Sequence, residues 1–529
     1  GFNTGIGSLK NVGIEQDKIT QFQQNYIKSH SVGVGKPLDI EVIRGAMLLQ
    51  ANALAKGHSG VRSLIIDKLI EMLNKGIHPV VPSQGSLGAS GDLAQLTHIA
   101  SVLVGEPEAE IWVQGDRVKL GHLLEPSGTF TFKVGQREVS FQTIALAGKE
   151  AIALTNATSV MLSIALHLIQ DVEILLKNAD IAAALSLEAM MCEKDAFAQE
   201  LHELRNQVGQ INTAKNINGL VADSKRMSLQ ARHDFFKHIT NIEIHNNLRD
   251  QNNGIVKETL CNYKYEHEFE KERVQDAYSL RCIPQVHGAC KDAYNFVRSV
   301  IEREIVAVTD NPVLFKPEGT HEYIAKSGGN FHGEPLAMAM DFLAIALTEI
   351  GSISDRRVFR LLSPRMSFGL TRNLAGGEAG VNSGYMMLQY TGAALVSENK
   401  GLAHPASIDS IPTSDNQEDH VSMGLTAARK ARRIAANTQY LMAIEYLCAM
   451  QGIHLSARHD PVSLTQFQLG RGTRVAFEHI GQFADSDGRP LFGMMQQDEY
   501  LQTKIERMRE IVDTGSIVKA IEESMTLLV

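Results

Sequence analysis

The chain has 529 residues, 44% of them apolar and 6% aromatic, with a formal charge of −9. That length can bury a large core, and the acidic balance argues against a nucleic-acid or anionic-membrane partner. Five cysteines (Cys192, Cys261, Cys282, Cys290, Cys448) are scattered without a CxxC pair, which suits reduced thiols in a cytoplasm and not a disulfide framework or a zinc site.

The text is helical for most of its length, rich in Ala, Leu, Met, Glu and Lys. Its start carries no charged-then-apolar leader. Ile40, Ile43, Met47, Ala51 and Leu54 mark one helical face between an Asp39 cap and Gly57. A second such pattern runs from Val61 to Asn74 and stops at Gly76. Thr129 to Val134 alternates as one arm of a hairpin. Long helices are expected over about Ile144–Lys177, Pro335–Ile350 and Glu418–Met450. The last two are apolar around much of their circumference, as in a helix bundle or a subunit interface. Thr155, Asn156, Thr158 and His167 interrupt the most apolar stretch, so burial in a protein core is expected there and not a bilayer. Residues 216–270, full of charge, His and Asn, read as a surface excursion. The expected fold is mostly α, a long-helix bundle (143–529) preceded by a small N-terminal region (1–142).

That N-terminal region holds Gly85-Ser86-Leu87-Gly88-Ala89-Ser90-Gly91-Asp92-Leu93. Gly91 lacks a Cβ, so its amide nitrogen can fold back onto the Ala89 carbonyl. The Ser90 hydroxyl can leave as water, and Ala89 is small enough to let a five-membered ring close. The product is an imidazolone with an exocyclic methylene, an electrophile that no ordinary side chain offers. Alone, a Gly-rich stretch opening a helix is more often a tight turn or an anion cradle.

Four further clusters decide the reading. They are Gly1-Phe2-Asn3-Thr4-Gly5-Ile6-Gly7, Ser29-His30-Ser31-Val32-Gly33-Val34-Gly35, Val274-Gln275-Asp276-Ala277-Tyr278-Ser279-Leu280-Arg281-Cys282, and Ser327-Gly328-Gly329-Asn330-Phe331-His332 with Asn416-Gln417-Glu418-Asp419-His420-Val421-Ser422-Met423. In this order, over essentially the whole chain, they resemble the aromatic amino acid ammonia-lyases, and the histidine-acting members most of all.

The resemblance implies that Ala89, Ser90 and Gly91 cyclise to 4-methylidene-imidazol-5-one, with no external cofactor. It implies elimination of ammonia from an α-amino acid, L-histidine giving trans-urocanate, by a homotetramer whose sites draw residues from three subunits. A tyrosine or phenylalanine lyase, or a 2,3-aminomutase, stays open on the same scaffold, as does a non-catalytic scaffold subunit.

Arg281 is the natural grip for a substrate carboxylate, because a planar guanidinium binds one bidentately; an intersubunit ion pair is its structural alternative. Tyr278, three residues earlier, shares a helical face with it if the stretch is helical, and by resemblance is a hydrogen-bonding or proton-relay partner. The resemblance puts Asn156 on the imidazolone carbonyl or the substrate carboxylate, and Gln275 and Phe331 along the pocket. It makes Glu418 a carboxylate that accepts the ammonium proton or contacts the imidazole, against the alternative of a solvated carboxylate at a helix start. It sets His30 and Met386 against the substrate ring. Nineteen histidines form no HExxH or clustered metal-ligand spacing, and Gly33-Val34-Gly35-Lys36-Pro37 fails the phosphate-loop pattern. Two departures stand out. The family's catalytic tyrosine directly precedes the Gly-x-Asn-Thr-Gly motif, placing it one residue ahead of Gly1. Leu370-Thr371-Arg372-Asn373-Leu374 replaces the usual Leu-Pro-Pro-Phe-Leu, freeing φ at two positions.

Overall fold

The computed structural model describes residues 3–227, 275–378, 380–458 and 468–529. Helices dominate. In chain order they include α1 (Ile19–His30), α2 (Ile40–Ala55), α3 (Ser63–Lys75), α4 (Leu93–Val104), α5 (Glu150–Thr155), α6 (Ser159–Ala189), α7 (Gln199–Arg205) and α8 (Val208–Leu220). They continue with α9 (Tyr278–Arg281), α10 (Ile283–Ile305), α11 (Glu334–Leu361), α12 (Met386–Leu402), α13 (Gly424–Arg458), α14 (Arg471–Gly481), α15 (Leu501–Asp513) and α16 (Ser516–Glu522).

The described chain forms two compact units, each assembled from separate stretches. The first comprises Gly1–Ile169, Phe296–Ala344 and His404–Arg432. It contains the expected hairpin, β3 (Thr129–Val134) with β4 (Arg137–Gln142), paired in register from Thr129–Gln142 to Val134–Arg137. It also holds a short antiparallel pair, β1 (Val34–Pro37) on β2 (Pro82–Gln84), which brings the end of α1 beside the approach to Gly85. Helix α3 ends on Gly76 in the left-handed conformation (φ 70°), as its sequence indicated.

The second unit, Gln170–Asn295, Ile345–Ala403 and Arg433–Val529, is the helical bundle. Its core is charged as well as apolar. Glu445 accepts from Arg357 Nε and Nη2 (2.5 and 2.8 Å) and from Ser186 and Ser354 (2.7 Å each). Asp180 accepts from His287 Nδ1 (2.8 Å) and Lys291 (2.5 Å), all three side chains fully buried. Burial alone would raise the Asp180 carboxyl, but Lys291 and His287 outweigh it and hold it below its ordinary range. Burial keeps His287 low and hence neutral.

Three expectations need correction. The helix expected over Ile144–Lys177 is broken at Asn156-Ala157-Thr158, separating α5 from α6, because Asn156 leaves helical geometry (φ −98°, ψ 73°). Asp39 precedes α2 but its side chain makes no cap bond; its carboxylate pairs with Arg432 instead. Within the stretch 216–270 the first residues are no excursion: Asn216 is buried in α8 and donates to Asp180 Oδ2 (2.8 Å) and the Leu528 carbonyl (2.7 Å), and Arg226 is buried. Residues 228–270 lie outside the described residues. Helices α6 and α11 are long and apolar enough to cross a membrane, and most of each apolar window is buried within the fold.

Candidate active site

Gly88-Ala89-Ser90-Gly91 is a tight turn, its two glycines bridged to each other. Gly91 has φ +64°, and a Cβ there would lie 2.0 Å from the Ala157 carbonyl oxygen. Only glycine fits. The neighbouring backbone holds the turn on several sides. Asp92 N–H donates to the Ala157 carbonyl (2.8 Å), Met423 N–H to Leu87 (2.7 Å), and the Ser422 hydroxyl to Gly88 (3.2 Å). Gly333 N–H also reaches the Gly88 carbonyl (3.4 Å). The first unit thus gathers the Ala-Ser-Gly turn, the Phe331-His332 stretch and the Ser422-Met423 stretch, roughly 90 to 330 residues apart along the chain.

Beneath the turn, Asp92 is fully buried and has a task the sequence did not reveal. It precedes α4, but Ser86 supplies that helix's cap, accepting from Ala94 N–H (3.0 Å). The Asp92 carboxylate instead accepts from Val160 and Met161 N–H (2.8 Å each) at the start of α6. Its other oxygen is buried with no partner among the described residues, and burial pushes its pKa up to about 7, with Glu304 adding to the rise.

His30 closes α1 with its ring stacked on Tyr26, centroids 4.0 Å apart. Its Nδ1 lies 2.9 Å from both the Tyr26 carbonyl and the Ser29 hydroxyl. A carbonyl only accepts, so Nδ1 carries the proton and Nε2 is left as an acceptor. Burial keeps this imidazole below its ordinary range, while the Tyr26 carbonyl and the Glu418 charge oppose the shift. Burial also raises the Tyr26 hydroxyl to about 12, and the Asp310 and Glu418 charges add to it; its bond with Thr155 (3.0 Å) pulls the other way. His30, Tyr26 and Glu418 therefore lie within electrostatic range of one another.

Glu418 does not open a helix, since α13 begins at Gly424. It closes a loop in which Ser414, Asp415 and Asn416 all have positive φ, short polar residues that tolerate it. Thr413 pairs with it through backbone, and the Thr413 hydroxyl donates to Glu418 Oε2 (2.8 Å). The N-terminal motif meets this same loop: Ser8 N–H donates to Ser414 Oγ (3.1 Å), and Lys10 bonds Gln417. Asn156 is 2% exposed, and its Nδ2 donates to Asp310 Oδ1 and the Asn311 carbonyl, both at 3.4 Å. Phe331 is half-buried.

The remaining expected site residues belong to the second unit. Tyr278 and Arg281 do share one helical turn, with the Arg281 guanidinium 4.7 Å over the Tyr278 ring. Tyr278 is 71% exposed, and Arg281 Nε is buried with no partner among the described residues. Gln275 is exposed, and Met386 is half-buried at the first position of α12. At the first of the two positions where the family has proline, Thr371 keeps φ −62°, and the positive φ falls further on, at Asn373 and Leu374 (55° each). Lys149 and Asp310, a buried ion pair beside Asn156, were not singled out from sequence; 161 residues separate them and no local pattern links them.

Residues 1–481 match the aromatic amino acid lyase family. The chain is similar to a histidine ammonia-lyase of Alkaliphilus oremlandii, 42% identical over 527 residues, all of this chain and 89% of that one. It is similar to that of Koribacter versatilis, 46% identical over 471 residues, 88% of this chain and 81% of that one. Among solved structures it resembles a tyrosine aminomutase from Streptomyces globisporus (TM-score 0.80, 32% identity, 100% of this chain and 90% of that one). It also resembles a histidine ammonia-lyase from Trypanosoma cruzi (TM-score 0.76, 31% identity, 97% of this chain and 84% of that one). Full-length likeness at this level, together with the turn at Gly91 and the loops that grip it, makes this chain a carbon–nitrogen lyase of the aromatic amino acid lyase family.

Proposed function

We propose that this protein is a histidine ammonia-lyase, converting L-histidine to trans-urocanate and ammonia as a cytoplasmic homotetramer, with Ala89-Ser90-Gly91 cyclised to 4-methylidene-imidazol-5-one. The observation that carries the substrate reading is the neutral His30 imidazole, its Nδ1 spent on the Tyr26 carbonyl and its Nε2 left as an acceptor, within range of Glu418. An acceptor paired with a carboxylate suits a substrate ring that donates N–H. It gives a plain phenyl ring nothing to bond.

The glycine-only cradle against Ala157 fits the cyclised group, and Gly88, Asp92 and Ser422 would hold it. The group supplies an electrophilic methylene that makes the substrate amine a better leaving group. The chain's own side chains do the rest. Arg281 grips the carboxylate and orients the substrate. Glu418 takes a proton from the ammonium or steadies the ring. Tyr278 relays a proton, and Gln275, Phe331 and Met386 shape the pocket. Tyr278's exposure supports a role in a site completed by another subunit, as do the exposed Phe296, Met338 and Phe342, an apolar group for further copies to cover. Cys282, Cys290 and Cys448 stand outside any disulfide among the described residues, in keeping with a reducing compartment.

A second reading draws on the same His30 acceptor, which also suits a phenol O–H, and on the likeness to a tyrosine aminomutase. Purified protein offered histidine, tyrosine and phenylalanine separately decides between them. Urocanate should form fastest, followed by its absorbance. Coumarate or β-tyrosine formed as fast as urocanate would replace histidine with tyrosine as substrate. Light scattering should give four times the chain mass, and a monomer would remove the shared site.

A further inference from the structure

The first unit holds a second concave place, a cleft of about 460 Å³ bounded by α2, the end of α3, the β3–β4 hairpin and the strand Glu110–Val113. None of the candidate-site residues lines it. Its volume lies within the roughly 300–1,000 Å³ usual for small-molecule pockets. No aspartate or glutamate lines it either, although acidic residues outnumber basic ones in the chain, 60 to 51. Arg44, Lys75 and Arg137 do. A cleft so one-sided in sign, on an acidic chain, selects anions.

The three cations are not equivalent. Lys75 is already engaged, donating to Glu71 (2.6 Å) and to the Ser140 carbonyl (2.7 Å). Arg44 gives Nη1 to the Leu73 carbonyl (3.1 Å) in the last turn of α3, which fixes its guanidinium. Neither Arg44 nor the exposed Arg137 pairs with a carboxylate among the described residues. Two ring nitrogens accompany them. His78 and Trp112 stand opposite each other on antiparallel strands, so their side chains share one face. Both line the cleft, and His78 Nδ1 and Trp112 Nε1 are buried with no partner among the described residues. Burial and the Arg44 charge hold the His78 imidazole below its ordinary range, against the Glu41 charge, so the ring is neutral. The Trp112 N–H can only donate, so a group that meets it must accept.

Guanidiniums without a carboxylate match the planar or tetrahedral oxygens of a carboxylate or phosphate. Trp112 and the apolar lining residues Leu73 and Val139 match hydrocarbon. A bare inorganic anion would leave that apolar lining wet, and a neutral hydrocarbon would leave the cations unanswered. We propose that this cleft is a binding site for a small organic anion, with Arg44 and Arg137 taking its carboxylate or phosphate oxygens and Trp112, Leu73 and Val139 covering its apolar body. The site is separate from the one that carries the Ala-Ser-Gly turn.

The molecule carries its own reporter, because Trp112 is the chain's one tryptophan and its fluorescence reads this cleft alone. Four probes divide the chemistry: benzoate, its neutral analogue benzamide, phenyl phosphate and inorganic phosphate. Benzoate or phenyl phosphate should shift the emission saturably, with a Kd of about 1 mM or below. The better of the two identifies the headgroup, and it should bind about tenfold more tightly than its benzamide or inorganic phosphate control. Arg137→Gln, at an exposed position whose loss spares the packing, should weaken that probe about tenfold. Lys133→Gln, on the same hairpin but outside the lining, should leave it unchanged. No saturable shift from either organic anion overturns the proposal. So does benzamide binding as tightly as benzoate, or inorganic phosphate as tightly as phenyl phosphate. Equal weakening by Lys133→Gln and Arg137→Gln overturns it too, since the attraction would then be diffuse.

Discussion

Around Ala89-Ser90-Gly91, polar contacts run from loop to loop onto backbone carbonyls, with Met423 and Gly333 N–H and the Ser422 hydroxyl all reaching into the 87–88 segment. Around Glu445 they run from helix to helix through side chains, with Arg357, Ser186 and Ser354 all converging on one carboxylate. The first region is irregular and rich in positive φ; the second is regular, and its charges are paired. The difference separates two uses of buried polarity. Loop backbone sets atoms at fixed places for chemistry, where a misplaced atom costs rate. Paired charges between helices hold one packing arrangement, where a missing partner costs stability.

The sharpest way to break this contrast is Ser90→Ala. The proposed cyclisation removes two waters, so wild-type intact mass should lie about 36 Da below the encoded value, and the variant should regain that mass and lose essentially all elimination. Its thermal midpoint should barely move. A large drop in stability would mean that the turn also holds the fold together.

Glu445→Ala is the converse. It strands a buried Arg357, and urea unfolding should show a loss of about 3–5 kcal/mol. The remaining folded protein should keep its mass deficit. A loss under about 1 kcal/mol would show that the charged core is dispensable.

Asp92 stands between the two, a buried carboxyl beneath the turn that also caps α6. Its pKa is raised from 3.8 to about 7. Between those values the folded protein holds the proton while the unfolded chain has released it, so its contribution to stability is full at low pH and is lost as pH rises through about 7. Asp92→Asn should remove that slope, on the order of 1 kcal/mol per pH unit. Parallel stability–pH curves for the two proteins would place Asp92's proton elsewhere.

The smallest effect should come from Arg432→Ala. The exposed pair with Asp39 should contribute about 0.2–1 kcal/mol and fade with salt. A larger, salt-resistant loss would extend the paired-charge principle to the surface of the first unit.

Much of the fold was legible because it is written locally. The faces of α2 and α3, the Gly76 stop and the 129–142 hairpin follow from periods and turn residues a few positions apart. The long helices were legible in kind but not in their limits. Asn156 reads as a tolerable polar interruption of an apolar helix, yet its partners Asp310 and Asn311 lie some 155 residues away and draw the chain out of helical geometry. Glu418 reads as a helix start, although its bond to Thr413 closes a loop six residues before α13 begins.

The candidate site divides the same way. Ala89-Ser90-Gly91 spells out the proposed ring closure in three letters, because that closure needs only neighbouring atoms, and Tyr278 with Arg281 announces a shared face by spacing alone. The acceptor face of His30, the proton on Asp92, and the pairing of Lys149 with Asp310 depend on which distant groups come near and how much water leaves. Burial and long-range neighbours set those, and both exist only once the chain has folded: the order of residues names the reactive groups, and folding orients and charges them.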